Sequence, residues 1–298
     1  MLKYIKKNKW FYILLIPGIA YFIIFHYLPM YGVIIAFKDF SFRKGIMGSD
    51  WVGFENYITL FNSEYFWKVF RNSLILSVYR LVAGFPVPII IALILNEVKI
   101  LRFKKLVQTV IYLPHFVSWV VFAGIVKLLL SPVDGAVNII ITKFGGETIS
   151  FLQESRYFIT ILVFSGVIKE AGWGTIVYLA AITAIDPQLY EAATIDGANR
   201  LQQVIKITLP SIANVIAILL VLNMGKIIRN GFEQIILLYN PLVYEVADVI
   251  ETYVYRTGIV EGKYSFTTAV GLFQSVIGMA MVLITNRISQ AMGQTTLY

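Results

Sequence analysis

Lys226, Arg229, Glu233 and Gln234 stand close together toward the end of a long apolar stretch, Ser211–Tyr239. Ionisable groups are costly inside a bilayer, and where they occur they face a cavity or a partner. Asn230-Gly231 separates the cations from Glu233 and marks a break, past which 232–238 can fold back. Carboxylate or amide hydrogen bonds beside an aromatic face suit contact with a polar solute. Glu233 and Gln234, with Phe232 and Tyr239 beside them, are therefore candidates for lining a solute path. The competing reading pairs Glu233 with Lys226 or Arg229 as a structural ion pair. Lys169 and Glu170 are adjacent in another apolar stretch, point to different faces of a helix, and suit the polar lining of an interface.

Other chemistry is excluded by what the chain lacks. It has no cysteine, so no disulfide, thiolate catalyst or zinc-thiolate site is available. The two histidines, His26 and His115, are far apart and supply too few ligands for a metal, which leaves them as packed or interfacial groups. No G-x-x-x-x-G-K-[ST] phosphate loop is present, so no ATP is bound in the manner of an ATPase. A membrane-embedded enzyme is disfavoured by the absence of a G-x-S-x-G elbow or a His/Asp/Glu metal constellation.

A second group of residues is suited to coupling rather than catalysis. Asp186-Pro187 reads as an N-cap followed by proline at the first helical position, and Leu189-Tyr190-Glu191-Ala192-Ala193 continues as a short helix. Gly197 can end that helix with positive φ, and a second helix can run from Asn199 until Pro210 opens the next apolar stretch. Leu189, Ala192, Ala193 and Ile195 give this helix–turn–helix, about 186–210, an apolar surface fit for a partner's groove. The plainer alternative is an ordinary loop helix at the membrane surface.

The elements that must position these residues follow from composition. Of 298 residues, 58% are hydrophobic and 14% charged, with a mean hydropathy of +0.75. Soluble domains carry about 25% charged residues, so the apolar excess has to face lipid. The net charge of +8 does not signal nucleic acid, because Lys and Arg sit at the ends of apolar stretches. An apolar stretch of about 20 residues spans a bilayer. Six qualify, near 11–37, 70–95, 106–130, 158–184, 211–239 and 266–288. Pro17, Pro29, Gly84, Pro86, Pro88 and Pro114 interrupt the first three and point to a kinked bundle.

Loop charges set the orientation. Lys3, Lys6, Lys7 and Lys9 precede the first stretch without an acid, and Lys99, Arg102, Lys104 and Lys105 follow the second against Glu97 alone. Alternate loops are neutral or acidic, which places both termini in the cytosol. The loop 185–210 is then cytosolic by parity, although its own two bases and three acids give no support. No internal repeat is visible, which argues against an ion-coupled secondary transporter, and 1–298 reads as one membrane domain.

Glu191-Ala192-Ala193, then Gly197, then Ile207-x-Leu209-Pro210 resembles the signature of membrane subunits of binding-protein-dependent ABC importers. In that family the segment is the coupling helix, docking in a cleft of a separate ATPase. Leu14–Gly18, Tyr27–Gly32, Ala36–Phe40, Trp51–Tyr57, Tyr112–Phe116 and Gly231–Ile235 look like the carbohydrate-uptake permeases, in the subgroup linked to polysaccharide-derived oligosaccharides. The resemblance covers the whole chain. It implies an all-α fold of the type I ABC importer permease, with about six transmembrane helices, in the plasma membrane. It also implies a homologous sister permease, two ATPase subunits that bind the ATP and Mg, an extracellular solute-binding protein and an oligosaccharide cargo. No cofactor is expected in this chain. ATP would close the ATPase dimer, draw the coupling helices together and open the cavity outward. The large extracellular insertion of some maltose-type permeases is missing, so a binding protein would meet short outer loops. A non-sugar solute carried by the same type of permease is the alternative within the family.

Overall fold

The computed structural model describes residues 7–229, 231–291 and 293. Asn230 and the first lysines, Lys3 and Lys6, lie outside the described residues. Among the described residues, four helices are long and apolar enough to cross a membrane: Lys9–Phe37, Glu64–Glu97, Ser155–Thr183 and Tyr264–Ala291. Two bent pairs pass the same test together, Leu101–Phe116 with Trp119–Leu129 and Arg200–Ser211 with Ala213–Met224. Counted this way there are six spans, called first to sixth below.

The third stretch is broken, in keeping with its Pro114: it bends by 105° at Val117-Ser118. One of the six expected stretches is corrected. The fifth does not run to Tyr239. Its helix Ala213–Met224 has 12 residues, and Phe232–Leu238 is a separate short helix. At 1.5 Å per residue, 12 residues reach about 18 Å, well short of a hydrocarbon core of about 30 Å. The preceding helical segment from Arg200 completes this span, joined at a 59° bend. Pro210 therefore sits inside the fifth span rather than opening it.

Proline explains much of the irregularity. Its ring clashes with the carbonyl four residues back and removes a donor. A π turn, Ile23–Tyr27, ends two residues before Pro29, and another, Val204–Thr208, ends two residues before Pro210. The wider turn relieves the clash without ending the helix.

Chain contacts divide into two compact units, Met1–Phe66 with Val254–Ser275 and Trp67–Tyr253 with Val276–Tyr298. In the first, Phe273 meets Phe61 and Phe66 edge-on, each at 5.6 Å between ring centroids. In the second, the fourth span is the central element. Gly172 lets it approach the helix Leu101–Phe116 so closely that a Cβ there would lie 2.1 Å from the Ile111 carbonyl oxygen. Lipid tails are as apolar as Leu, so close packing through small residues, rather than expulsion of water, holds such helices together. Phe158, Leu162 and Val163 of the fourth span pack with Leu76, Ile235, Leu238 and Val243 in one buried cluster. Asn72 and Ser73 of the second span fasten the segment near 250: the Asn72 amide donates to the Glu245 carbonyl at 2.9 Å, and the Ile250 N–H donates to Ser73 Oγ at 2.9 Å.

Candidate functional site

The loop 186–210 is built as two helical arms around one glycine. Asp186 caps the helix Pro187–Ile195, its carboxylate accepting from the Gln188 N–H at 2.9 Å. Gly197 takes φ +79°, a left-handed conformation that costs an L-residue roughly 1–2 kcal/mol. Asn199 then starts the second arm with a reciprocal capping box to Gln202. Two side-chain bonds lock the arms together and a third ties the second arm to the turn. Tyr190 and Thr208 share a hydrogen bond at 2.9 Å, and the buried Gln203 amide donates to Thr194 Oγ1 at 3.0 Å and to the Ala198 carbonyl at 3.2 Å.

This rigid frame presents apolar side chains outward. Ile195 is 86% exposed, with Leu189, Leu201 and Ile205 also exposed around it. Glu191 and Ala192 are exposed and Ala193 is half-buried, while Ile207, Leu209 and Pro210 belong to the second arm, Ile207 and Leu209 half-buried and Pro210 exposed. Arg200 reaches Glu97, at the end of the second span, at 3.7 Å.

The residues expected near a solute path are separated by the fold. Gly231, at φ +71°, precedes the helix Phe232–Leu238 and turns the chain there. Glu233 is exposed, but Gln234 is 1% exposed and points into the bundle. Its amide nitrogen donates to the Leu162 carbonyl and to Ser165 Oγ, each at 2.7 Å, and its oxygen accepts from the Arg80 guanidinium. Gln234 is thus a structural anchor rather than a group open to a solute, because both ends of its amide are used. Phe232 is half-buried, and Tyr239 is half-buried with its ring 4.8 Å from that of Tyr244. Lys226 and Arg229 are exposed, and among the described residues no ion pair joins either to Glu233. Arg80, a cation within the second span, is marked in the sequence only by its place in an apolar stretch.

A further cluster joins residues that the sequence kept apart. Lys169 of the fourth span is 4% exposed, and its ammonium donates to the carbonyls of Pro114, His115 and Val117 at 3.2, 3.0 and 2.6 Å. Those carbonyls end the helix Leu101–Phe116 at the bend of the third span. A helix end leaves carbonyls unsatisfied, water is absent from the bilayer core, and a cation suits the negative end of the helix dipole. Trp119 and Phe122 lay ring faces toward the same ammonium, at 5.2 and 6.0 Å. Ser118 restarts the chain as the N-cap of Trp119–Leu129. Next to Lys169, Glu170 accepts from or donates to His115 Nδ1 across 2.9 Å, according to their protonation, and Trp173 stacks on the imidazole at 4.8 Å. Glu170 and Trp173 are each about half exposed, at 50% and 49%. The pair Lys169 and Glu170 does point to different faces, and the two groups have different tasks. One caps the bend; the other, with His115 and Trp173, offers a carboxylate, an imidazole and a ring face together.

No group of His, Cys, Asp and Glu among the described residues has the arrangement of a metal site.

Comparison with known proteins places this geometry. Residues 68–294 match the model of the binding-protein-dependent transport system inner membrane component family. The polygalacturonan/rhamnogalacturonan transport system permease protein YteP of Bacillus subtilis (strain 168) is 46% identical over 292 residues, covering 98% of this chain and 91% of YteP. Protein LplB of the same organism is 45% identical, covering 99% of this chain and 92% of LplB. A solved chain of a bacterial alginate ABC transporter, in complex with an alginate pentasaccharide-bound periplasmic protein, superposes with a TM-score of 0.92 at 44% identity, covering 100% of this chain and 99% of that one. A multi-pass helical membrane protein with these relatives has the ABC importer permease fold, and the chain belongs to the family of binding-protein-dependent transport system inner membrane components.

Proposed function

We propose that this chain is the permease subunit of an ATP-driven importer of oligosaccharides in the plasma membrane, and that the loop 186–210 receives the motion of a separate ATPase. One observation carries the reading: a loop locked by its own hydrogen bonds holds Leu189, Ile195, Leu201 and Ile205 exposed. A rigid apolar projection, with its first arm Pro187–Ile195 outside the spans and Leu201 and Ile205 at the start of the fifth, fits a groove on another subunit. The chain has no phosphate loop of its own, so the ATP and Mg belong to two partner ATPases. A sister permease and an extracellular solute-binding protein complete the assembly. Both termini are cytosolic, and residues 1–298 act as one permease domain, with the exposed Glu233, Glu170 and Trp173 and the half-buried His115 as the groups offered to the solute. The relatives named above for polygalacturonan and alginate support an oligosaccharide cargo.

Reconstitution in proteoliposomes tests the function. With sister permease, ATPases and binding protein present, ATP hydrolysis should rise when the binding protein is loaded with an oligosaccharide. Uptake should survive an ionophore. Uptake that ignores ATP and is abolished by the ionophore would identify a secondary transporter instead. Orientation is tested separately, since single cysteines can be introduced into a cysteine-free chain. A thiol placed at Asn199 or Lys104 should react only after permeabilisation, whereas thiols at Asn56 or Glu147 should react from outside. Labelling at 199 in intact cells would refute the coupling assignment.

A further inference from the structure

The segment 38–54, between the first and second spans, is folded far more firmly than a connecting loop requires. Its frame is built around one ammonium. Lys38 is 9% exposed and donates to the carbonyls of Ile46, Met47 and Ser49 at 2.8, 3.2 and 3.2 Å. Two-residue strands close the base, pairing Lys38 with Trp51 and Asp39 with Asp50. The Asn56 amide donates to the carbonyls of Ala36 and Lys38 at 3.0 and 3.2 Å. Phe37 is held by Trp51, stacked at 5.9 Å, and by Phe54 and Tyr57 at 5.5 and 5.4 Å. Burial pushes the Tyr57 phenol up from its ordinary pKa, so this ring is neutral packing.

Despite that frame, the hairpin holds large apolar side chains outward. Phe42 is 73% exposed, Met47 80%, Trp51 65% and Phe54 68%. A loop facing only water gains nothing from such residues. Its height in the membrane says what meets them. The first span has 29 residues, which at 1.5 Å each reach about 43 Å. A hydrocarbon core is about 30 Å thick and about 40–45 Å with the headgroup layers. The end of this span, Phe37, therefore lies among headgroups rather than in acyl chain, and the hairpin starts at the next residue. A second tie sets the same level: the Phe40 N–H donates to Ser265 Oγ at 2.8 Å, and Phe42 meets Tyr264 edge-on at 4.8 Å. Tyr264 is the first residue of the sixth span. The hairpin thus bridges the ends of two spans at the depth where Trp and Tyr partition between lipid and water.

We infer that 38–54 is an interfacial anchor whose occupant is the lipid headgroup layer. Phe42, Met47, Trp51 and Phe54 enter that layer, continuous with the exposed lipid face of the first span. Arg43 is exposed beside them and available to lipid phosphates, while Lys44 is held by Asp50 in an ion pair that raises its pKa. Through Lys38 and the Ser265 and Tyr264 contacts, the hairpin fixes the depth of the first and sixth spans at one end.

The test uses nitroxides on cysteines introduced at Phe42 and, separately, Met47. The assembled transporter is placed in phosphatidylcholine nanodiscs, with its partner subunits free of reactive thiols. Collision with apolar oxygen and with a water-soluble nickel chelate reports depth. At both positions oxygen collisions should exceed nickel collisions severalfold, with depth between a label at Phe25 and one at Glu147. Nickel collisions as frequent as at Glu147 would place the hairpin in water and overturn the inference. Low collisions with both reagents, or oxygen access lost when sugar-loaded binding protein is added, would make the hairpin a protein-docking surface and overturn it equally. The Met47 side chain accepts from the Tyr31 hydroxyl of the first span at 2.8 Å and is separate from the ring contact of Phe42 with Tyr264, so its label reports depth even if the Phe42 substitution loosens that contact.

Discussion

Replacing Ile195 with Asp is expected to uncouple the permease from its ATPase while leaving it folded in the membrane. Ile195 is 86% exposed at the end of the helix Pro187–Ile195, so its removal disturbs little within the chain. Substitutions at such surface positions stay within about 0.5 kcal/mol. Docking is another matter. An isoleucine buried at an interface contributes about 1.5–3 kcal/mol, and a carboxylate pressed into an apolar cleft adds a desolvation cost. A net loss of about 3–4 kcal/mol corresponds to a fall in subunit affinity of more than a hundredfold, at about 1.4 kcal/mol per factor of ten. The permease should extract from membranes in normal amounts, lose the ATPase during purification, and take up no oligosaccharide. Gly197→Val attacks the same device through the backbone, because φ +79° is strained for valine. Retention of the ATPase and full uptake in both variants would sink the assignment.

Lys169→Met should cost the most stability of any single change at the third-span bend. The Pro114 carbonyl has a second partner, the Val117 N–H at 3.3 Å. The burden therefore falls on the His115 and Val117 carbonyls, which lose the ammonium. An unsatisfied buried polar group costs about 1–3 kcal/mol, which gives about 2–6 kcal/mol for the two. Folded proteins have a margin of only about 5–15 kcal/mol, so the variant should melt many degrees lower in detergent and be scarce in the membrane. Lys169→Arg keeps the charge and the donors and should recover part of the loss. Glu170→Gln, on the half-exposed neighbouring face, should leave the melting temperature nearly unchanged. A wild-type melting curve for Lys169→Met would mean that these carbonyls find other partners and that the lysine does not hold the bend.

These two sites differ in how far they could be read from the residues alone. The coupling loop is local. Its caps, its glycine and its exposed leucine and isoleucine lie within one short segment, and helix capping and left-handed glycine depend on neighbours a few residues apart. The membrane class is legible for a related reason, since span length and apolar content are properties of contiguous stretches. The separate helix Phe232–Leu238 was marked by Gly231 in the same way.

Distance along the chain hides the rest. Nothing near Lys169 announces that it caps a helix end some fifty residues earlier, and His115 gains its meaning only beside Glu170 and Trp173. Glu233 and Gln234 are adjacent, of similar chemistry, and indistinguishable as residue types, yet one is exposed and the other buried. Helical rotation of about 100° per residue separates them, and only the packing of the fourth span and Arg80 against that helix decides which faces inward. The bends of the third and fifth spans were decided similarly. Proline and serine permit a break in many helices, but a break within a bilayer persists only where another element satisfies the freed backbone. For the third span that element is Lys169 on the fourth, which no local pattern could name.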